Sequence, residues 1–126
     1  MFRDKSSSAI VAVRDLDRAR AFYGQVLGLE ATSGPDEDVV VYRTGATFLC
    51  VYVSEFAGTN QANAVAWSVG EDIEAIAADL AGRGVTFERY DMPDTTFENG
   101  VHRTGDFRMV WFKDPDGNIL HLNSAD

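Results

Sequence analysis

The sequence predicts an α+β protein built from two copies of a βαβββ unit. Two observations support this: apolar residues follow strand and helix periods in turn, and the order strand, helix, strands occurs twice. Matching positions recur 56 residues apart, since Val13 corresponds to Val69 and Gly28 to Gly84. Only two such copies fit in 126 residues, so the repeat is a doubled supersecondary unit rather than a solenoid.

The first unit opens with an apolar strand and a helix in residues 9–31. Asp15 is placed to cap the start of the helix, and Gly28 is placed to end it. Apolar residues recur at helical spacing between these two positions, namely Leu16, Ala19, Phe22, Tyr23, Val26 and Leu27. The strands predicted after the helix cover residues 30–33, 39–43 and 47–53.

The second unit repeats this plan from residue 64. Its helix is predicted to start at the acidic pair Glu71 and Asp72 and to stop at Gly82 and Gly84. An apolar stripe defines its buried side, formed by Ile73, Ile76, Ala77 and Leu80. Strands are predicted at 86–90, 107–113 and 118–123, with a turn at 114–117 before the last one.

The chain is predicted to be a single domain, residues 1–126, with modules at about 8–53 and 64–123. Residues 54–63 are the predicted linker between the modules. Residues 91–106 are predicted to be a long polar loop, a length that is uncommon unless the loop is functional or mobile. A role as a lid over a binding site is left open.

Composition and charge exclude several classes of function. The chain is 45% hydrophobic and 25% charged, as in globular proteins, and its net charge of −9 argues against binding nucleic acid. That charge favours a cationic small ligand or only keeps the surface solvated. The chain lacks both a run of roughly 18–20 apolar residues and the apolar core of a signal peptide, so no membrane insertion is predicted. Because Cys50 is the only cysteine, a cytoplasmic location is expected.

Two segments, AVRDLDRARAFYGQVLGLE and WFKDPDGNIL, together with the doubled unit, resemble the vicinal oxygen chelate superfamily. This superfamily includes glyoxalase I, extradiol dioxygenases and bleomycin resistance proteins, and the likeness extends from about residue 8 to residue 123. The resemblance implies that each module curls its strands into a cup and carries its helix on the outer face. It also implies a homodimer in which two modules combine to form a site, whether or not the modules are swapped between subunits.

Metal-dependent members of this superfamily hold a divalent ion with side chains from the first, fourth, fifth and eighth strands. The resemblance places Ser8, Cys50, Ala64 and His121 at these positions. A catalytic zinc site requires about three N, O or S ligands and an open position. Ala64 has no donor atom and a neutral serine hydroxyl is a poor ligand, so neither a metal nor another cofactor is predicted.

Strand alternation predicts which side chains line the cup. Trp67 is expected on the helix side, in the core. Small residues at the ligand positions, surrounded by aromatic residues, are typical of a pocket for an organic molecule. The residues predicted to contact the ligand are Ser8, Ile10, Phe48, Cys50, Tyr52, Ala64, Ala66, Met109, Trp111, His121 and Asn123.

The predicted function is metal-independent binding of an organic small molecule, similar to the bleomycin resistance and antibiotic-sequestering branch. The alternative is an enzyme of the same fold, either metal-dependent or a lyase, isomerase or dioxygenase in which His121 acts as the base. A Cys50–His121 nucleophile pair lacks an evident orienting acid. His102 is predicted to be solvated beside Arg103, although His102, Phe97 and Glu98 would contact ligand if their loop folds over the cup.

Overall fold

The computed structural model describes residues 1–32 and 38–126. Part of the predicted strand 30–33 therefore lies outside the described residues, while Ala31 forms an isolated antiparallel bridge with Tyr42. In chain order the elements are β1 Ala9–Val13, α1 Leu16–Ala19 with a π-helical continuation Arg20–Val26, β2 Val39–Thr44, β3 Thr47–Val53, β4 Asn63–Ser68, a 3₁₀ turn Gly70–Asp72, α2 Ile73–Gly82, β5 Thr96–Glu98, β6 Val101–Thr104, β7 Phe107–Lys113 and β8 Ile119–Asn123.

The strands form two mixed sheets. The first has the order β1-β3-β2, with β1 parallel to β3, and the second has the order β4-β8-β7-β6-β5, with β4 parallel to β8. In each sheet the first strand of a module lies parallel to its last strand, so a helix provides the crossover between them. The predicted α+β architecture of two related modules is confirmed.

The first helix begins where the sequence predicts. The side chain of Asp15 caps it by accepting hydrogen bonds from the main-chain N–H groups of Asp17 and Arg18, at 2.9 and 3.2 Å. From Arg20 onward the helix widens into a π-helix, in which the N–H of Leu27 donates to the carbonyl of Phe22 at 2.9 Å. Gly28, with φ of +73°, ends it as expected.

The second helix also follows the predicted pattern. It starts after the acidic 3₁₀ turn, ends at Gly82, and buries Ile73, Ala77 and Leu80 against its sheet. One core cluster contains buried residues of both modules, and Trp67 packs against it from the helix side of β4, as predicted. In the described residues no helix is both long and apolar enough to cross a membrane.

The turn between β7 and β8 joins the two modules. Tyr23 of the first helix donates its hydroxyl hydrogen to Asp114 at 2.7 Å, and Asn118 donates from Nδ2 to the carbonyl of Ala12 at 2.8 Å. Asp114 also accepts hydrogen bonds from the main-chain N–H groups of Asp116 and Asn118, both at 2.9 Å. Burial, and then the negative charge of Asp114, raise the pKa of Tyr23 well above its usual range, so the tyrosine stays a donor.

Two predictions about the second module are wrong. Residues 91–106 are not one long loop, because they contain the antiparallel pair β5 and β6. The pair is joined by a tight turn at Asn99 and Gly100, whose φ values are +53° and +83°. Residues 86–90 do not form a regular strand, because only Phe87 forms a bridge, with Phe112.

Candidate functional site

Each sheet has one face packed against a helix and one face turned away from it, which we call its open face. On the second sheet the helix side consists of buried residues such as Val110, Leu120 and Leu122. The residues that alternate with them form the open face. Strand pairing sets His121 between Ala66 and Trp111, and Asn123 beside Met109. The open face of this sheet therefore brings together five predicted site residues.

A row of rings crosses the open face of the second sheet. His121 stacks on Trp111 with ring centroids 4.7 Å apart and an interplanar angle of 29°. On the other side of Trp111 the ring of His102 meets it edge-on at 5.0 Å, and Phe97 meets His102 at 4.7 Å. Tyr90 contacts Trp111 edge-on at 5.2 Å. Trp111 is thus held between two imidazoles, in the geometries that aromatic pairs prefer.

His121 is a neutral, weakly connected imidazole. Its side chain is largely buried, and its Nε2 lies 3.3 Å from Nδ2 of Asn123. Burial lowers its pKa, an effect partly offset by the main-chain carbonyl of Val110, yet Nδ1 forms no hydrogen bond of normal geometry within the described residues. At neutral pH the ring is therefore uncharged, and this Nδ1 lies buried inside the protein.

His102 contradicts the prediction that it is solvated. It is completely buried, and its Nε2 accepts a hydrogen bond from the main-chain N–H of Tyr90 at 3.0 Å. The reason is the β5–β6 pair, which turns His102 inward beside Met109 and away from solvent. Phe97 lies on the same face, whereas Glu98 lines a groove beside α2 on the other face of the sheet.

The open face of the first sheet is largely apolar and exposed, with Arg43 lying over the ring of Phe48 at 5.5 Å. Pairing aligns Ile10 with Cys50, and Cys50 shares its face with Phe48 and Tyr52. Ile10 and Phe48 retain 61% and 37% of their surface exposed, although both are large and hydrophobic. These four predicted site residues lie together, on a different sheet from His121.

The remaining predicted site residues lie at the margins of the sheets. Ser8 precedes β1, is exposed, and shares a hydrogen bond of 3.4 Å with Thr47. Ala64 lies at an irregularity in the pairing of β4 with β8, between Asn63 and Val65, and packs against the core.

The four positions that the resemblance assigns to a metal do not supply a suitable set of donors. Ala64 has no donor atom and Ser8 offers a neutral hydroxyl already shared with Thr47, so only Cys50 and His121 remain as donors at these four positions. Across residues 1–32 and 38–126, no three His, Cys, Asp or Glu side chains are grouped as metal ligands. The residues present therefore do not fit a divalent ion.

The doubled module, the parallel first and last strands, and the aromatic open face define a protein of the paired βαβββ class. The chain belongs to the glyoxalase/bleomycin resistance protein/dioxygenase superfamily, whose family model matches residues 6–122. No curated protein matches the chain.

Solved structures with this fold align over almost the whole chain. A glyoxalase/bleomycin resistance protein from Catenulispora acidiphila is 29% identical, with a TM-score of 0.68, and the match covers 94% of this chain and 96% of that one. A glyoxalase family protein from Enterococcus faecalis is 21% identical, with a TM-score of 0.73 and coverage of 98% and 99%. The fosfomycin resistance protein FosX from Mesorhizobium loti is 16% identical, with a TM-score of 0.71 and coverage of 100% and 95%.

Sequence reasoning missed Tyr90 and misplaced His102. The dipeptide Asn99-Gly100 is a strong hairpin signal, and the short segments on either side of it pair as β5 and β6. That signal would have placed His102 on a strand, where alternation sets it on the same face as Phe97. Nothing in the sequence identifies Tyr90, because its position depends on a main-chain hydrogen bond to a side chain.

Proposed function

We propose that the protein binds an organic small molecule on the open face of the second sheet without using a metal. The observation that supports this most directly is the ring row: Trp111 offers a half-buried aromatic ring, and the neutral imidazole of His121 stacks on it beside the side-chain amide of Asn123. Ala66 beside His121 leaves space for a ligand. An apolar surface with few polar groups is the usual composition of a small-molecule site.

The charges on the open faces favour a neutral or anionic ligand. Among the strand residues that the structure describes, the charged ones on the open faces are Arg43 and Lys113, and none is acidic. The carboxylates of Glu71 and Glu74 pair with Arg108 on the helix side instead. Lys113 is itself paired with Glu88 at 3.3 Å, so Arg43 is the strand residue left to favour an anionic group, and most of the net charge of −9 lies on other surfaces.

We propose that a second copy of the chain completes the site as a homodimer. Ile10 and Phe48 on the first sheet and Phe107 on the second leave apolar surface exposed in the single chain. Ile10 and Phe48 lie on either side of Cys50 on one face, and an exposed apolar patch of this kind marks an interaction site. Sedimentation at micromolar concentration should give a dimer, and Ile10→Asp should shift it toward monomer, while the exposed linker variant Phe56→Ser should not.

The test of binding is a thermal-shift screen of neutral, anionic and cationic aromatic compounds and antibiotics, fosfomycin among them. A ligand at 100 times its Kd stabilises the folded state by about 2.7 kcal/mol. We expect neutral or anionic aromatic compounds to raise Tm, and Trp111→Leu to abolish the shift. Phe56→Ser is the control that keeps it. A ligand whose affinity is unchanged in Trp111→Leu would place binding elsewhere.

A lyase- or isomerase-like activity that uses His121 as a base is the second candidate. It is favoured by one observation, the lowered pKa that keeps this imidazole unprotonated at neutral pH. Under the binding proposal His121→Gln changes affinity and no turnover exists to be lost. Under the enzymatic proposal the same variant binds but does not convert the compound.

Metal analysis of protein purified without chelators should find no stoichiometric divalent ion, and one ion per site would contradict the leading proposal.

A further inference from the structure

We propose that His102 is a positioning residue that holds Tyr90 against Trp111, and that protonation of His102 releases Tyr90 from this position in the site. The inference rests on the proposed function, because Trp111 is the surface on which the ligand is proposed to bind. The supporting geometry has two parts. The main-chain N–H of Tyr90 donates to the buried imidazole of His102, and the ring of Tyr90 contacts Trp111.

The segment before Tyr90 follows the edge of β7 only briefly. Phe87 forms a bridge with Phe112, and the N–H of Glu88 donates to the carbonyl of Trp111 at 2.8 Å. Further along, the edge of β7 is occupied by β6, which pairs with Phe107–Met109. The N–H of Tyr90 therefore has no strand partner there, and Nε2 of His102 satisfies it instead.

This hydrogen bond determines the state of the imidazole. Because Nε2 accepts a hydrogen from the N–H of Tyr90, the ring is neutral and its proton is on Nδ1. A second proton would occupy Nε2, so two hydrogen-bond donors, this N–H and that of Tyr90, would then face each other inside the protein. Since His102 is completely buried, the protonated ring would also lose its hydration without gaining an acceptor.

The charges around His102 do not favour the protonated ring. From the Tyr90 segment, Arg89 lies over the ring of Phe97 at 5.2 Å, and its ion pair with the exposed Asp91 is long, at 3.8 Å. Burial lowers the pKa of His102; the main-chain carbonyl of Met109 partly offsets this, and Arg89 lowers it further. On the neighbouring strands Arg103 and Arg108 pair with Glu74 and Glu71 on the helix side of the sheet, and Lys113 on the open face pairs with Glu88 at 3.3 Å.

Tyr90 contributes to two parts of the site. Its ring contacts Trp111, and it also lines a cavity of about 460 Å³ together with Lys113 and Ile119, the open-face residues next to Trp111 and His121. Linker residues Asn60 and Gln61 form the other wall of this cavity. Release of Tyr90 would therefore change both the aromatic surface and the cavity beside it.

The first experiment needs no ligand. Two-dimensional NMR of the wild-type protein should show the Nδ1–H tautomer of His102 at pH 7.5 and a protected Tyr90 amide. On acidification, protonation of His102 should occur below pH 6.5 and should coincide with loss of protection of the Tyr90 amide, while amides of β8 stay protected. The proposal is overturned if Nε2 carries the proton at pH 7.5, if Tyr90 stays protected after His102 is protonated, or if protection is lost only on global unfolding.

Two variants of His102 distinguish the effect of its hydrogen-bond acceptor from the effect of its ring volume. His102→Gln retains an oxygen acceptor that does not titrate, so Tyr90 should stay protected to lower pH than in the wild type. His102→Phe retains the ring volume without an acceptor, so Tyr90 should exchange quickly at every pH. Equal protection in the two variants would show that packing alone holds Tyr90.

The last arm measures affinity for a compound from the thermal-shift screen, one that does not itself titrate between pH 7.5 and 5. Affinity in the wild type should fall over that range about tenfold more than in His102→Gln, as expected for loss of one buried hydrogen bond, and the fall that remains in the variant belongs to His121. An unchanged affinity with a normal NMR titration would show that Tyr90 is released but does not serve the site. Failure to find any ligand contradicts the proposed function and leaves the NMR result standing.

Discussion

The open faces of the two sheets differ although they derive from the same repeated unit. The pair Ile10 and Cys50 on the first sheet corresponds to the pair Ala66 and His121 on the second, since each joins the first strand of a module to its last. Ile10 and Ala66 are also related by the repeat of 56 residues. On the first sheet a large aliphatic residue faces a small one, and on the second a small residue faces an imidazole.

This exchange gives the open face of the second sheet an imidazole, whereas the polar side chains of the first are those of Arg43, Cys50 and Tyr52. Ala66 leaves room beside His121, whose other neighbour is the ring of Trp111. On the first sheet Ile10 fills the equivalent space. It remains 61% exposed in the single chain, as is typical of an apolar side chain at an interaction surface. Under the proposed function, the second module would bind the ligand and the first module of a second copy would cover it.

The largest expected effect on stability comes from removing the hydrogen bonds that Asp114 accepts where the two modules meet. Asp114→Ala removes the acceptor used by Tyr23, by Asn118 and by the main chain of the β7–β8 turn. We expect the free energy of unfolding to fall by about 3 kcal/mol or more, because several buried donors lose their partner. Urea denaturation measures this loss.

The matched control for Asp114→Ala is Arg18→Ala. Arg18 pairs with Asp116 of the same turn at 2.7 Å, and although the Asp116 side chain is buried, it keeps the main-chain N–H of Arg14 as a donor, so loss of the 48% exposed Arg18 should cost only about 1–2 kcal/mol. Equal losses in the two variants would mean that the turn does not join the modules through its buried carboxylate.

The second-largest effect is expected when the second sheet receives the open-face residue of the first. Ala66→Ile gives the second sheet the residue of the first, placing a larger side chain beside His121. Because Ala66 is exposed, stability should change by less than about 1 kcal/mol, while affinity for the ligand falls at least about tenfold. Thermal unfolding and calorimetric titration measure the two quantities.

The control for Ala66→Ile is Ile10→Ala, which makes the reverse change on the first sheet. It should leave the direct contacts of the ligand with Trp111 and His121 intact and weaken the dimer. If Ile10→Ala reduces affinity as much as Ala66→Ile when the protein is held in its dimeric state, the two faces contribute equally and the comparison fails.

Sequence reasoning predicted the parts of this molecule that depend on local pattern. Asp15, Gly28 and the turn at 114–117 are positions where a cap, a positive φ or a turn has a clear residue preference, and all three are found. Alternation also placed His121 and Trp67 on the correct faces. These features require only neighbours in sequence, so one chain is enough to predict them.

The parts that sequence reasoning missed depend on contacts between distant segments. Whether His102 is buried depends on where β6 pairs, and whether Tyr90 belongs to the site depends on a hydrogen bond to that histidine. The π-helical form of residues 20–26 is equally non-local, since an apolar helical period does not distinguish it from an α-helix. The hairpin signal at Asn99-Gly100 was the one available clue.

The smallest expected effect is the pH dependence of stability due to His121. Burial lowers its pKa in the folded protein, so the unfolded chain binds more protons than the folded one once the pH falls below about 6.5. The free energy of unfolding should therefore be highest above that pH and should decrease as the pH falls through it, with a slope of at most about 1.4 kcal/mol per pH unit for one histidine. His121→Gln should remove this part of the slope, while the part due to His102 persists. Urea denaturation at pH 7.5, 6.5 and 5.5 measures it, and an identical slope in His121→Gln would show that the imidazole is as accessible to protons when folded as when unfolded.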